Sequence, residues 1–185
     1  MATNACIHEA SSDLRLLAAR VRGTTKTLSA SAAAASARAT RDPIAAGLSG
    51  SVCLGTGQFC TSPGLAVFVE DRAFESAMRT AMDAAPRGYL LNPGIRDALR
   101  AGLRRLQAVA GVEWLNEAEF AADSMTPPNA VLRVPASVFL EEPGLSEEVF
   151  GPATLLVACE DEAQMLAVAR HLDGNLTGSI HATGD

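Results

Sequence analysis

From Pro43 onward, apolar and polar positions fall into short blocks whose periods predict a regular alternation of elements. Asp42 and Pro43 read as the cap and first turn of a helix running to about Leu54, where Gly55 and Gly57 end it. Leu65 to Glu70 is a compact apolar, β-prone run and predicts a buried strand, followed by a helix from Arg72 to Ala84. Asn92-Pro93-Gly94 interrupts the chain. Ile95, Leu99, Leu103 and Leu106 then share one helical face, and Arg96, Arg100, Arg104 and Arg105 occupy the rest as a solvated surface. Val112 to Leu115 and Ala130 to Val134 predict short strands separated by Thr126-Pro127-Pro128-Asn129. Ala153 to Cys159 is the strongest strand signal. A helix from Glu162 to Leu172, a turn at Asp173-Gly174-Asn175 and a last strand near Ser179 to Ala182 complete the pattern. Strands alternating with helices imply an α/β domain with a largely parallel sheet flanked by helices.

The first forty residues break this pattern. They are rich in Ala, Ser, Thr and Arg, and residues 24–35 approach low complexity. Between Asp13 and Asp42 there are basic residues, Arg15 and Lys26 among them, and no acid. The chain therefore divides into an atypical, poorly ordered leader at 1–40 and a folded domain at 41–185. Arg-rich, acid-poor composition fits an organelle transit peptide, but a poorly ordered or remnant leader with no address is the favoured reading. Leu14, Leu16, Leu17 and Val21 could form one short amphipathic helix.

With 185 residues, 48% hydrophobic and 19% charged, the chain can bury one sizeable core. A net charge of −6 argues against nucleic acid as a partner, since phosphate binding needs clustered Lys and Arg. Apolar stretches fall short of the roughly 18 residues of a membrane span. The expectation is a chain without nucleic-acid or membrane partners, located in the cytoplasm, or in an organelle if the leader is a transit peptide. The four cysteines at 6, 53, 60 and 159 form no C-x-x-C pair and no Cys/His cluster, so no metal site is expected. Seven helical residues at about 1.5 Å rise would hold Cys53 and Cys60 roughly 10 Å apart, too far to bridge. Reduced thiols in a cytosol-like compartment are the simpler assumption.

Cys60 stands out. A lone cysteine is more often an inert core thiol, but this one lies in Gly57-Gln58-Phe59-Cys60-Thr61-Ser62-Pro63-Gly64, among turn formers at the exit of a helix. Substrate can reach a thiol placed there, and it reads as a nucleophile. His8, His171 and His181 are the only imidazoles, and none has a sequence context that pairs it with Cys60.

Gly57-Gln58-Phe59-Cys60, followed by Glu147-Glu148-Val149-Phe150-Gly151-Pro152 leading into the strongest strand, resembles the catalytic domain of the NAD(P)-dependent aldehyde dehydrogenase superfamily. Cys60 to Leu65, Leu91-Asn92-Pro93-Gly94-Ile95 and Leu176-Thr177-Gly178-Ser179-Ile180-His181 look most like its 2-oxoglutarate semialdehyde (2,5-dioxopentanoate) dehydrogenase branch. The resemblance covers residues 43–185.

It implies that Cys60 attacks an aldehyde carbon, that hydride passes to the nicotinamide of NAD or NADP, and that the resulting thioester is hydrolysed. The Cys60 backbone N–H would help hold the oxyanion. Glu148 would accept hydrogen bonds from the nicotinamide ribose and Phe150 would pack beside the nicotinamide. Three features of the family have no counterpart in these residues: a Gly-rich nucleotide-binding domain, a general-base glutamate a few tens of residues before the cysteine, and an oxyanion-hole asparagine. The implied fold is thus the aldehyde dehydrogenase catalytic domain without its cofactor-binding domain. The expectation is a chain unable to complete turnover alone and prone to self-association through the surface that domain would cover; alternatively, that surface makes the chain a non-enzymatic interaction module.

Overall fold

The computed structural model describes residues 4–8, 37–116, 119–172 and 175–181. Eleven elements are found among them: β1 (Asn4–His8), α1 (Ala37–Cys53), β2 (Pro63–Val69), α2 (Arg72–Ala84), α3 (Pro93–Gln107), β3 (Glu113–Trp114), β4 (Ala130–Pro135), α4 (Ala136–Glu141), β5 (Ala153–Cys159), α5 (Glu162–His171) and β6 (Gly178–His181). Single 3-10 turns cover Leu54–Gly57 and Pro143–Ser146.

The strands form one sheet in the order β3-β4-β5-β2-β1-β6. Every neighbouring pair is parallel except β3 with β4. In the centre Leu65 pairs with Leu155 and Val67 with Val157, and Leu132 also pairs with Leu155. Side chains alternate across the sheet. Leu65, Val67, Leu132, Val134, Leu155 and Val157 face a layer containing Leu99, Leu103 and Leu106 of α3, Phe139 of α4, and Met165 and Val168 of α5. Ala66, Phe68, Val131, Leu156 and Ala158 face Leu48 and Val52 of α1 and Phe74, Met78 and Met82 of α2. With both faces covered, a central strand has no polar side, which is why β5 reads in the sequence as an apolar run interrupted by Thr154 alone.

Arg133 breaks that rule on the α2 face of β4. It is buried, and its Nε donates to Glu75 Oε1 at 2.7 Å while an Nη pairs with Glu70. Burial alone would lower the guanidinium pKa, but the hydrogen bond and charge of Glu75, with the charges of Glu70 and Glu113, outweigh it and raise the pKa. Glu75 also accepts from Arg72 at 3.1 Å. This polar cluster fastens α2 to the sheet.

Three local outcomes differ from the sequence reading. Helix α1 begins at Ala37, so Asp42 lies inside it and does not cap it; Pro43, whose fixed φ suits a helix, is carried in the second turn. Arg41 pairs instead with Asp71, whose carboxylate caps α2 by accepting from the Ala73 and Phe74 N–H groups at 2.9 and 3.3 Å. Second, residues 4–8 of the expected leader form β1 between β2 and β6. A strand there satisfies backbone groups on both of its neighbours, a gain that needs no apolar sequence pattern. The amphipathic helix expected around Leu14 to Val21 lies outside the described residues. Third, α4 was not anticipated: six residues are too few to show helical periodicity.

Candidate functional site

Helix α1 ends where the chain turns left-handed for three successive residues, Gly55, Thr56 and Gly57, with φ of 56°, 61° and 65°. Thr56 is the only non-glycine at positive φ among the described residues. The strain of a β-branched residue there is offset by seating. Thr56 is buried, and its Oγ1 is so close to Gly88 that a Cβ on Gly88 would lie 2.1 Å from it. Cys60 follows in a tight turn closed by the Ser62 N–H donating to the Phe59 carbonyl at 3.0 Å, and then the chain enters β2. Its thiol is exposed.

The other cysteines differ. Cys159 is fully buried at the end of β5, and its pKa is pushed up to about 12 by burial and then by the charge of Asp161. Cys53 is half-buried against Met82, its Sγ 3.9 Å from Sδ, and burial also raises its pKa. Both are held as neutral thiols at neutral pH.

The second motif meets the first through backbone. A Cβ on Gly57 would lie 2.1 Å from the carbonyl carbon and oxygen of Gly151, so the two glycines are in direct contact. Gly151, at φ 147°, is itself pressed against Leu99, and Val149 against Gly102 of α3. The second motif therefore lies between helix α3 and the cysteine loop. A shallow concavity has Gly64 and Leu65 on one side and Glu147 and Val149 on the other, again joining the two motifs.

Within the second motif, the adjacent glutamates have different fates. Glu147 pairs with Arg105 of α3 through its side chain, and Arg105 Nη2 also donates to the Glu147 carbonyl at 3.3 Å. Arg105 is thus a fastening for the motif and not a solvated charge. Arg100 lies over the Phe120 ring at 5.5 Å and Arg96 pairs with Asp97, so the arginine face of α3 is more engaged than its spacing suggested. Glu148 and Phe150 are half-buried, and among the described residues the Glu148 carboxylate has neither a hydrogen bond nor an ion pair.

Sequence reasoning assigned no role to Gln58, yet its amide spans the site: Nε2 donates to the Gly55 and Tyr89 carbonyls at 3.0 and 3.1 Å, and Oε1 accepts from the Leu91 N–H at 2.9 Å. Leu54, Phe59, Tyr89 and Leu91 flank this region as exposed apolar side chains. Of the histidines, His171 is packed edge-on to Phe139 at 6.2 Å and His181 lies in β6. No cluster of three or more potential metal ligands occurs among the described residues, and no helix there is long and apolar enough to cross a membrane.

No protein-family model matches the chain. It is similar to alpha-ketoglutaric semialdehyde dehydrogenase 2 of Azospirillum brasilense, 40% identical over 148 residues, and to alpha-ketoglutaric semialdehyde dehydrogenase of Acinetobacter baylyi, 31% identical over 134 residues. These matches take in 78% and 70% of this chain but only 28% and 25% of those relatives, so the chain spans about a quarter of their length. In fold it is similar to an NAD-dependent benzaldehyde dehydrogenase of Corynebacterium glutamicum (TM-score 0.68, 16% identity) and to lactaldehyde dehydrogenase of Escherichia coli (TM-score 0.68, 17% identity). Each superposition takes in 98% of this chain and about a third (35% and 34%) of the other.

Proposed function

We propose that this chain, a relative of the aldehyde dehydrogenases by sequence and fold, carries the nucleophile and part of the nicotinamide surface for NAD(P)-dependent oxidation of an aldehyde to a carboxylate. The observation that supports this reading best is the contact of Gly57 with Gly151, because it brings the exposed thiol loop against the segment carrying Glu148 and Phe150. The substrate we assign is 2-oxoglutarate semialdehyde, following the names of the two relatives.

Cys60 Sγ adds to the aldehyde carbon, and the carbonyl oxygen takes up negative charge beside the Cys60 backbone N–H. When bound, NAD or NADP supplies the acceptor for the hydride that leaves this carbon. A thioester then remains on Cys60, and water adds to its carbonyl, releasing the carboxylate and restoring the thiol. Glu148 would accept from the ribose hydroxyls and Phe150 would flank the ring. A reducing compartment such as the cytoplasm suits this chemistry, since it needs a thiol.

The residues assigned here reach only one end of a dinucleotide, and none of them is placed as the base for thioester hydrolysis. On this reading the 185-residue chain alone does not turn over. We place the domain division at 1–40 and 41–185, although β1 (Asn4–His8) and the start of α1 at Ala37 lie on the leader side of it. A spectrophotometric assay with 2-oxoglutarate semialdehyde and NAD or NADP is expected to show no steady reduced nucleotide. Steady production abolished by Cys60→Ala would contradict the inactivity of the chain while supporting the thiol's role.

A second reading has its own observation. Leu54, Phe59, Tyr89 and Leu91, between 48% and 78% exposed, leave an apolar surface about the thiol turn that suits self-association or a non-enzymatic partner. Nucleotide binding separates the two: the enzyme reading requires it once the rest of a cofactor site is supplied, and the interaction module does not.

A further inference from the structure

We propose that Gln58 is a positioning residue that locks the Cys60 turn to the segment at Tyr89 and Leu91, fixing where the thiol sits. This rests on the reading of Cys60 as nucleophile. Gln58 immediately precedes the Phe59-Cys60 turn, and its side chain makes three hydrogen bonds, two of them to the chain more than thirty residues away. Both ends of the amide are used in opposite senses: Nε2 gives both protons to carbonyls, and Oε1 accepts an N–H. Such a pattern needs an amide. A carboxylate would face two carbonyls with no proton to give, and an alkyl chain would satisfy nothing.

The neighbouring residues make the clamp consequential. Gly55 to Gly57 hold left-handed torsions in a single turn closed by the Gln58 N–H on the Gly55 carbonyl at 3.3 Å, and Thr56 and Gly57 pack closely on Gly88 and Gly151. Gln58 is the polar member of three successive supports, and the one nearest Cys60. Its partners Tyr89 and Leu91 are exposed, but Leu90 between them is buried in the core and its N–H donates to the Met125 carbonyl at 2.8 Å, so Gln58 ties the Cys60 turn to a segment that is itself anchored.

The test uses the full chain, with Gln58→Glu and Gln58→Ala beside the unmodified protein. Two things are read: amide hydrogen exchange in peptides covering 54–62 and 86–92, and the alkylation rate of Cys60 by limiting iodoacetamide as a ratio to that of Cys53. Both variants are expected to raise exchange in the two segments together by about tenfold or more, the scale of losing two neutral hydrogen bonds in Gln58→Glu and three in Gln58→Ala. The Cys60:Cys53 ratio is expected to change at least threefold, with the unfolding midpoint lowered by no more than the few degrees that a tenfold change corresponds to. Acidification of Gln58→Glu is expected to restore part of the protection, because a protonated carboxyl regains one donor. Raised exchange with an unchanged ratio, or exchange raised in one segment alone, overturns the proposal. Failure of the nucleophile reading shows separately, in the unmodified chain, as Cys60 alkylating no faster than Cys53.

Discussion

Gly57 and Gly151 touch backbone to backbone, and no side chain fits between them. Any residue larger than glycine at position 57 would also be held at φ 65°. Gly57→Ala is therefore expected to cost roughly 2–4 kcal/mol, combining left-handed strain with overpacking against backbone that cannot yield. Urea unfolding checks the magnitude. A cost under about 0.5 kcal/mol would mean that the contact between the two motifs is looser than described.

This contact explains why some of the site was legible in the sequence and some was not. The two motifs could be read because glycines beside a cysteine and before an apolar strand are local signals. Their meeting through Gly57 and Gly151 is a tertiary fact, as is the reach of Gln58 to Tyr89 and Leu91. In the fold, β5 announced itself as the strongest apolar, β-prone run and α2 as the segment from Arg72 to Ala84, whereas the Asp71 cap of α2 emerged only from the structure. Strand β1 had no such run, since it is specified by pairing on both sides and not by its own pattern. Pro43 misled in the other direction: proline usually opens a helix, but here the helix continues ahead of it.

Arg133 and Glu75 form a buried pair whose members depend on each other. Arg133→Met alone strands the Glu75 carboxylate beneath α2, with Arg72 as its remaining partner, and should destabilise the chain by about 3–5 kcal/mol. Adding Glu75→Leu should recover much of that loss. A double-variant cycle by denaturant unfolding tests it, and additive losses would show that the pair is not coupled.

Cys159 gives the fold a pH dependence with a definite sign. Its ordinary pKa of 9.0 applies in the unfolded chain and about 12 in the folded one, so only the unfolded chain ionises between these values. The stability tied to this thiol is complete below pH 9 and is lost as pH rises toward 12. Comparing unfolding midpoints of the unmodified chain and Cys159→Ala from pH 8 to 10.5 should show the steeper alkaline decline in the unmodified chain. Parallel curves would contradict the burial of the thiol.

Glu148 is expected to be nearly silent in stability, because its carboxylate has no protein partner among the described residues. Glu148→Gln should shift ΔG of unfolding by less than about 0.5 kcal/mol, whereas Arg105→Ala should cost more by releasing Glu147 and uncovering the motif. Thermal unfolding of the two variants provides the comparison, and the reverse order would mean that Glu148, not Glu147, fastens the motif.

The central claim, that Cys60 is the thiol an aldehyde meets, is tested most directly by alkylation with limiting iodoacetamide and peptide mapping, with and without 2-oxoglutarate semialdehyde. Cys6 is scored apart. The account predicts that Cys60 labels before Cys53 and Cys159, both of which are shielded and shifted to higher pKa. It also predicts that the semialdehyde slows labelling of Cys60 selectively, because a thiol engaged with an aldehyde carbon is unavailable to the reagent. Labelling of Cys60 no faster than Cys53, or equally fast with and without the semialdehyde, would contradict it.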